Sequence, residues 1–246
     1  RPYRRSAAAI VTLHDLQPLS NPERFGLVKR SYIRAVAPRS LRAARAVICL
    51  TDFTAADAEE RAGVPAERIR IVPSGVDDPG PGPDLLVQEA VLDRYGLTGA
   101  PFVLYPAITY AHKNHETLVA AFSLLARDRP DVRLVLTGAE GPFEAVVRSA
   151  VSAYGVADVV VRPGRVPEAD LDVLYRHASL VAFPSRYEGF GLPVLEAMAR
   201  SCPVLASDVA ALPGVTGGAA VLVDPLDVGA WARAMADLLD DAGRRT

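Results

Sequence analysis

Two carboxylates, two glycines and a proline stand at a spacing that can hold a phosphorylated sugar. In the stretch Pro184-Ser185-Arg186-Tyr187-Glu188-Gly189-Phe190-Gly191-Leu192-Pro193-Val194-Leu195-Glu196-Ala197-Met198-Ala199, seven residues separate Glu188 from Glu196. Gly189 and Gly191 let the backbone approach a ligand. Pro193 suits the first turn of a helix, where its missing N–H would have had no partner. The free N–H groups and positive dipole end of such a helix start favour an anion, most simply a phosphate. A carboxylate beside a phosphate is repelled. Glu188 on the loop and Glu196, about one and a half turns past Gly191, therefore suit hydrogen bonds from sugar hydroxyls. Phosphate plus polyol implies a nucleotide sugar; the competing reading is a solvated turn that opens an ordinary amphipathic helix.

The flanking elements must position these groups. Leu180-Val181-Ala182-Phe183 before the motif and Pro203-Val204-Leu205-Ala206-Ser207-Asp208 after it predict strand, glycine turn, helix and strand, one α/β unit. Upstream, Phe102–Ala107 predicts a strand and His115–Ala126 an amphipathic helix. Lys113 and Asn114 stand just before that helix, where an ammonium can reach a diphosphate. Such an ion pair at about 4 Å and an effective dielectric of about 20 contributes up to about 4 kcal/mol before desolvation costs. The alternation continues through a strand at Val132–Gly138, a helix at Pro142–Tyr154, a strand at Val159–Arg162 and a helix at Val228–Leu239 carrying Trp231. Asp170-Leu171-Asp172 has the form of an Asp-x-Asp metal motif. Leu171, Leu174 and Tyr175 indicate a helix there, however, on which positions two apart point about 200° away from each other.

The first third of the chain repeats the pattern. Ala8–Leu13 reads as a buried strand with His14-Asp15 at its carboxyl end, where ligands of doubly wound sheets collect. A second buried strand is read at Ala46–Leu50. Thr51-Asp52-Phe53-Thr54 supplies cap residues for a helix ending near Gly63, and a third strand follows at Ile69–Pro73. This order predicts a parallel sheet. Asp78-Pro79-Gly80-Pro81-Gly82-Pro83 is rich in chain-breaking residues and marks a linker, dividing the chain into domains at 1–78 and 79–246, with a helix predicted at Leu85–Tyr95.

The text EGFGLPVLE followed by a Cys-Pro-Val strand resembles the signature of the retaining glycosyltransferase family four, whose GT-B fold has two Rossmann-like parallel-sheet domains. The resemblance implies that Glu188 lies at the transferred sugar. The amides of Phe190, Gly191 and Leu192 would hold sugar and diphosphate, and Glu196 the ribose hydroxyls. TLHDLQPL is similar to the family's His-Asp segment, which places His14 near donor sugar and acceptor. ITYAHKNHETLVAAF is similar to its Lys-Asn segment, which assigns Lys113 and Asn114 to the donor diphosphate. Gly164-Arg165-Val166 corresponds to the loop that meets the nucleobase through main-chain groups. LTDFTAADAEERAGVPAERIRIVPSGVD resembles the second half of the family's N-terminal domain. There are departures. Ile108 stands where many members carry Arg, Gly214 where many carry Glu, and nothing corresponds to the earlier βαβ portion. The first domain is therefore expected to be incomplete, with an unpaired sheet edge.

Composition bounds the rest. With 246 residues, half of them apolar, the chain can build a sizeable core. A net charge of −2 gives no electrostatic case for nucleic-acid binding. Cys49 and Cys202, each in an apolar strand-like stretch, read as buried free thiols rather than a disulfide or metal site and point to a reducing cytoplasm. No apolar run approaches the roughly 20 residues that span a bilayer. The absence of an initial Met suggests a fragment or processed product. From Arg24 to Arg45 the chain holds Lys29, Arg30, Arg34, Arg39 and Arg42 and no acid, either a solvated helix face or a peripheral contact with an anionic membrane face. The expected function is transfer of a hexose, mannose for example, from a nucleotide diphosphate sugar to a glycan or lipid-linked acceptor. No cofactor and no metal are expected. The alternatives are a nucleotide-sugar-binding module without turnover, a glycosidase carboxylate pair and an NAD oxidoreductase, for which a Gly-x-Gly-x-x-Gly turn is lacking.

Overall fold

Every strand lies parallel to its neighbours, as the alternation of strand and helix requires. A computed structural model describes residues 9–20 and 26–241, the side chain of Lys29 aside. Arg1–Arg5, Ala8 and Arg24, the first residue of the basic run, lie outside the described residues. The chain divides into two units. The first takes residues up to Gly75 together with Tyr187–Gly191 and Ala210–Val215, and the second takes the remainder.

In the first unit the elements are β1 (Ile10–Leu13), α1 (Gln17–Ser20), α2 (Leu27–Arg42), β2 (Ala46–Cys49), α3 (Asp52–Ala62) and β3 (Ile69–Ile71), with strand order β1-β2-β3. Leu13, Leu16, Leu41, Val47, Cys49, Ala58 and Val64 form its core. β1 departs from the expected buried strand. Ile10 is 65% exposed and Leu13 buried, and among the described residues β1 pairs with β2 alone. α2 runs through Pro38 and leaves Leu27, Val28 and Tyr32 exposed beside Arg34, Arg39 and Arg42.

The local start and stop of α3 are legible in its residues. The Thr51 side chain accepts from the Thr54 N–H at 3.1 Å, and Gly63 ends the helix in the left-handed region at φ 66°. The same face of α3 grips the segment 187–191. Thr51 Oγ1 and Thr54 Oγ1 donate to the Gly189 carbonyl at 3.1 and 3.2 Å. The buried Asp57 carboxylate accepts from Tyr187 Oη at 3.1 Å, Ser20 Oγ at 2.7 Å and Arg61 Nε at 2.6 Å. Phe53 meets the Tyr187 ring edge-on at 5.6 Å. A Cβ on Gly189 would lie 2.1 Å from the His14 carbonyl oxygen and 2.8 Å from Asp15 Cβ. What approaches Gly189 closely is thus the chain's own backbone rather than a ligand.

The second unit contains α4 (Leu85–Arg94), β4 (Phe102–Pro106), α5 (His115–Asp128), β5 (Arg133–Thr137), α6 (Glu144–Ala153), β6 (Val160–Gly164), α7 (Glu168–His177), β7 (Leu180–Phe183), α8 (Leu192–Ala199) and β8 (Val204–Ser207). The short α9 (Leu212–Thr216), β9 (Val221–Val223) and α10 (Val228–Asp240) follow. Of these, the α9 residues up to Val215 belong to the first unit. Residues 212–216 are helical, and 221–223 pair with β8. The six strands run in the order β6-β5-β4-β7-β8-β9. Phe102, Leu104, Leu134, Leu180 and Phe183 on central strands are fully buried, as a parallel sheet covered on both faces demands. Trp231 of α10 is buried as well, with Nε1 donating to the Asp224 carbonyl at 2.9 Å.

His115, the first residue of α5, is 3% exposed and its ring lies 4.7 Å from that of Tyr105. Both ring nitrogens are buried without a hydrogen-bond partner. Burial first, then the nearby Arg162 and Lys113 cations, lower its pKa to about 4, while the Ala107 backbone opposes the shift without meeting hydrogen-bond geometry. A histidine kept neutral in this way stabilises the fold fully above its unfolded value of 6.5, and that contribution is lost as pH falls from 6.5 to 4. The loss amounts to about 3 kcal/mol. Denaturant titrations between pH 7 and 4 should show this slope, and His115→Phe should flatten it; an equal slope in the variant would refute the assignment. Gly189→Ala should lower stability by about 2–3 kcal/mol through overpacking on the His14 carbonyl. Unchanged thermal unfolding of that variant would show that the segment shifts without cost.

Candidate functional site

In the six-stranded sheet the direction of travel reverses between β4 and β7, which are adjacent but are followed in space by β5 on one side and β8 on the other. Ligands of open α/β sheets bind outside the carboxyl ends of the strands at such a point. Lys113 and Asn114 follow β4, and the motif segment beginning at Pro184 follows β7. Asn114 sits at φ 58°, ψ 36°, a left-handed conformation that Asn tolerates better than most residues, and is 2% exposed. Its Nδ2 donates to the carbonyls of Pro184 at 3.0 Å and Pro225 at 2.8 Å. Its Oδ1 accepts from Thr117 Oγ1 at 2.9 Å and Arg186 Nε at 2.9 Å. Two donors and two acceptor sites are thereby used. The side chain of Asn114 shapes the turn rather than offering a free amide. The Arg186 N–H donates to the His112 carbonyl at 2.8 Å and Tyr105 Oη to the Lys113 carbonyl at 2.6 Å, and Lys113 Nζ lies 5.4 Å from the centre of the Phe183 ring.

The predicted helix start is present. Gly191 takes φ 94°, outside the range of ordinary side-chain-bearing residues, and α8 begins at Leu192 with Pro193 in its first turn. Leu192 is 40% exposed and Glu196, in the second turn, is half-buried. Tyr175 Oη donates to Glu196 Oε2 at 2.9 Å. Burial first, then the Glu196 carboxylate, pushes the Tyr175 phenol far above its usual value. Arg200 Nη1 donates to the Glu196 carbonyl at 3.0 Å and Arg200 Nε to Asp172 Oδ1 at 2.6 Å. Asp172 Oδ2 accepts from Arg176 Nε at 2.7 Å. Burial alone would raise the Asp172 carboxyl, but Arg176 and Arg200 outweigh it and hold it below the ordinary range. Asp170, two residues earlier on α7, instead accepts from Arg94 Nη1 at 2.5 Å and Tyr95 Oη at 2.6 Å. The Asp-x-Asp pair is split between unrelated arginines, as the helical reading expects. Among the described residues no group of three or more His, Cys, Asp or Glu is placed to hold a metal ion.

Val166 lines an open hollow of about 290 Å³ at the carboxyl ends of β4, β5 and β6, with Ala107, Ile108, Gly138, Arg165 and Glu168 among its other walls. Gly138, at φ 121°, permits the close approach of these strands, since a Cβ there would lie 2.5 Å from the Ala107 carbonyl oxygen. Near the hollow, Glu144 pairs with Arg162 at 2.6 Å and Arg148 at 2.8 Å. Lys113, Asn114, Val166, Leu192 and Glu196 are thus all brought to one end of the second unit's sheet.

In the first unit, His14 is exposed at the carboxyl end of β1 and its carbonyl abuts Gly189, next in sequence to the half-buried Glu188. The Glu188 carbonyl accepts from the Ala211 N–H at 3.3 Å, and Phe190 is buried. Sequence reasoning missed Asp57, Tyr175 and Arg186. A signal existed for the first, because Asp57 shares the buried face of α3 with Thr54, Ala58 and Ala62 at helical spacing, where a lone acid needs partners. Tyr175 lay hidden among the apolar residues of α7, with Val173 and Leu174.

Residues 89–246 match the family model described as Glycosyl transferases group 1, and residues 1–78 match Glycosyltransferase Family 4. The chain is 33% identical over 245 residues to the O-antigen chain mannosyltransferase B of Escherichia coli, which covers 98% of this chain and 64% of the relative. It is 36% identical over 213 residues to the D-inositol 3-phosphate glycosyltransferase of Xylanimonas cellulosilytica, covering 82% of this chain and 50% of that one. The chain therefore spans between half and two thirds of these relatives' length. Among solved structures, Anabaena Alr3699/HepE in complex with UDP and glucose superimposes with a TM-score of 0.83 at 21% identity, over 97% of this chain and 63% of that one. Sucrose-phosphate synthase of Thermosynechococcus elongatus gives 0.81 at 27% identity, over 96% and 59%. With the Rossmann-like strand order and both family models matched, the chain belongs to the group 1, family four glycosyltransferases of GT-B fold.

Proposed function

We propose that the protein transfers a hexose, mannose in the first instance, from a nucleotide diphosphate sugar to a hydroxyl of a glycan or lipid-linked acceptor, with retention at the anomeric carbon and without a metal ion. The observation that carries this reading is the joining of the Lys113 turn to the start of the 184–199 motif through the buried Asn114 amide, at the switch point of the six-stranded sheet. That arrangement sets an ammonium and a helix N-terminus at one sheet end. Both stabilise a diphosphate, and more strongly as it departs with a full negative charge. The mannosyltransferase relative supports the choice of sugar.

In the proposed step the bond from the sugar C1 to the diphosphate oxygen breaks, and its electron pair stays on the diphosphate. The acceptor oxygen forms the new bond to C1, and the acceptor's proton ends on the departing diphosphate. Lys113 and the first turn of α8, with the amides of Phe190, Gly191 and Leu192, take the diphosphate. Glu188 holds hydroxyls of the transferred sugar, Glu196 those of the ribose, and the hollow at Val166 receives the base. His14 is assigned to the reacting sugar by the family resemblance. The basic run from Arg24 to Arg45 is proposed as a contact with an anionic membrane face, supported by exposed Arg34, Arg39 and Arg42 beside exposed Leu27, Val28 and Tyr32. No helix among the described residues is long and apolar enough to cross a membrane.

Calorimetric titration with UDP- and GDP-hexoses, run beside a radiolabelled-transfer assay with NMR of the product anomer, tests the reading. Binding with transfer and a retained anomer supports it; binding without transfer leaves a nucleotide-sugar-binding module. In the full-length enzyme, Glu188→Gln should lower turnover about tenfold or more, the loss of a charged hydrogen bond of about 1.5–3 kcal/mol. An unchanged rate would remove Glu188 from the transferred sugar. Lys113→Ala should weaken donor binding and lower turnover together, by about tenfold each. Wild-type kinetics in that variant would remove the ammonium from the diphosphate site.

A further inference from the structure

We infer that Tyr175 is a positioning residue that fixes the Glu196 carboxylate so that one of its oxygens stays available to the ribose of the donor nucleotide. The inference rests on the donor-site reading above. Tyr175 is 2% exposed, in the last turn of α7, and its ring is covered by the Arg200 guanidinium at 5.4 Å. A buried phenol requires a partner for its hydroxyl. The partner is Glu196 Oε2, at 2.9 Å. A neutral donor pins this oxygen without cancelling the carboxylate's charge.

The cations around Glu196 are committed elsewhere. Arg200, just past the end of α8, stands four residues after Glu196, a spacing at which a Glu and an Arg on a helix can pair. Here Arg200 Nε donates to Asp172 Oδ1 at 2.6 Å, and Arg200 Nη1 donates to the backbone carbonyl of Glu196 at 3.0 Å rather than to its side chain. Arg176, the other nearby arginine, donates to Asp172 Oδ2 at 2.7 Å and to the carbonyls of Pro79 and Gly80. Asp172 thus draws both guanidinium groups away. Among the described residues Glu196 Oε1 has no hydrogen-bond or ion-pair partner. An ionised carboxylate, acceptor-only, with one oxygen fixed and the other unpaired, suits a pair of adjacent hydroxyls. A ribose diol has that form, and a 2′-deoxyribose lacks half of it.

Binding of UDP, GDP and their 2′-deoxy counterparts to the full chain, measured by calorimetry, tests the inference. Whichever ribonucleotide binds the wild type should bind about tenfold or more tightly than its deoxy form. Tyr175→Phe keeps the ring and removes only the hydroxyl. It should bring that ratio to within about threefold while leaving the deoxynucleotide's affinity within about twofold of wild type. A residue with a purely structural role would weaken both nucleotides alike and preserve the ratio, and that result would overturn the inference. Glu196→Gln should abolish the preference, and Tyr175→Phe/Glu196→Gln should lose no more than Glu196→Gln alone; additive losses would overturn it too. Asp172→Asn, which releases Arg200 toward Glu196, should also reduce the ratio with Tyr175 intact, and an unchanged ratio would count against the inference. If the wild type bound neither ribonucleotide, or bound both sugar forms equally, the donor-site reading would fail and this inference with it. Loss confined to the tyrosine variant's prediction would leave the donor site standing.

Discussion

The geometry at the carboxyl end of the second unit's sheet depends on one buried amide. Asn114, held in a left-handed turn, spends every hydrogen-bonding site of its side chain on the protein. It ties the end of β4 to the exit of β7, to the loop after β9 and to its own helix α5. Left unmade, such bonds would each cost the desolvation of a buried polar group, about 1–3 kcal/mol. Made, they fix the Lys113 turn against the start of the glycine motif. The placement of His115 follows from the same turn, which drives the imidazole into the core against Tyr105 and leaves it neutral.

The first unit meets a different constraint. Segment 187–191 is held by hydroxyls at the N-terminal end of α3, by the Asp57 carboxylate and by the bulk of the His14 carbonyl. These contacts surround Glu188 on both sides in sequence, at Tyr187 and Gly189. The loop carrying Glu188 is thereby given fixed ends, so that its backbone is held in place on both sides of the carboxylate.

Much of this was legible in the residues. The spacing of Glu188, Gly191, Pro193 and Glu196 announced a helix start with two acids, and α8 begins where Pro193 requires. The helical phase of Leu171, Leu174 and Tyr175 separated Asp170 from Asp172, and each meets its own arginines. Other features could not be read. The exposure of β1 reflects which strands flank it, a tertiary fact that the apolar run of Ile10–Leu13 does not contain. Gly189 read as an opening for a ligand, but its space is filled by the His14 backbone, 175 residues away in sequence. The partnership of Tyr175 with Glu196 joins two helices whose register no local pattern encodes.

A crystal structure of the protein with a bound nucleotide diphosphate hexose would test the central claim most directly. The account predicts the diphosphate against the first turn of α8 within ion-pair reach of Lys113 Nζ, with the ribose hydroxyls on Glu196. A nucleotide sugar lodged elsewhere, or one whose diphosphate touches neither Lys113 nor the amides around Gly191, would contradict it.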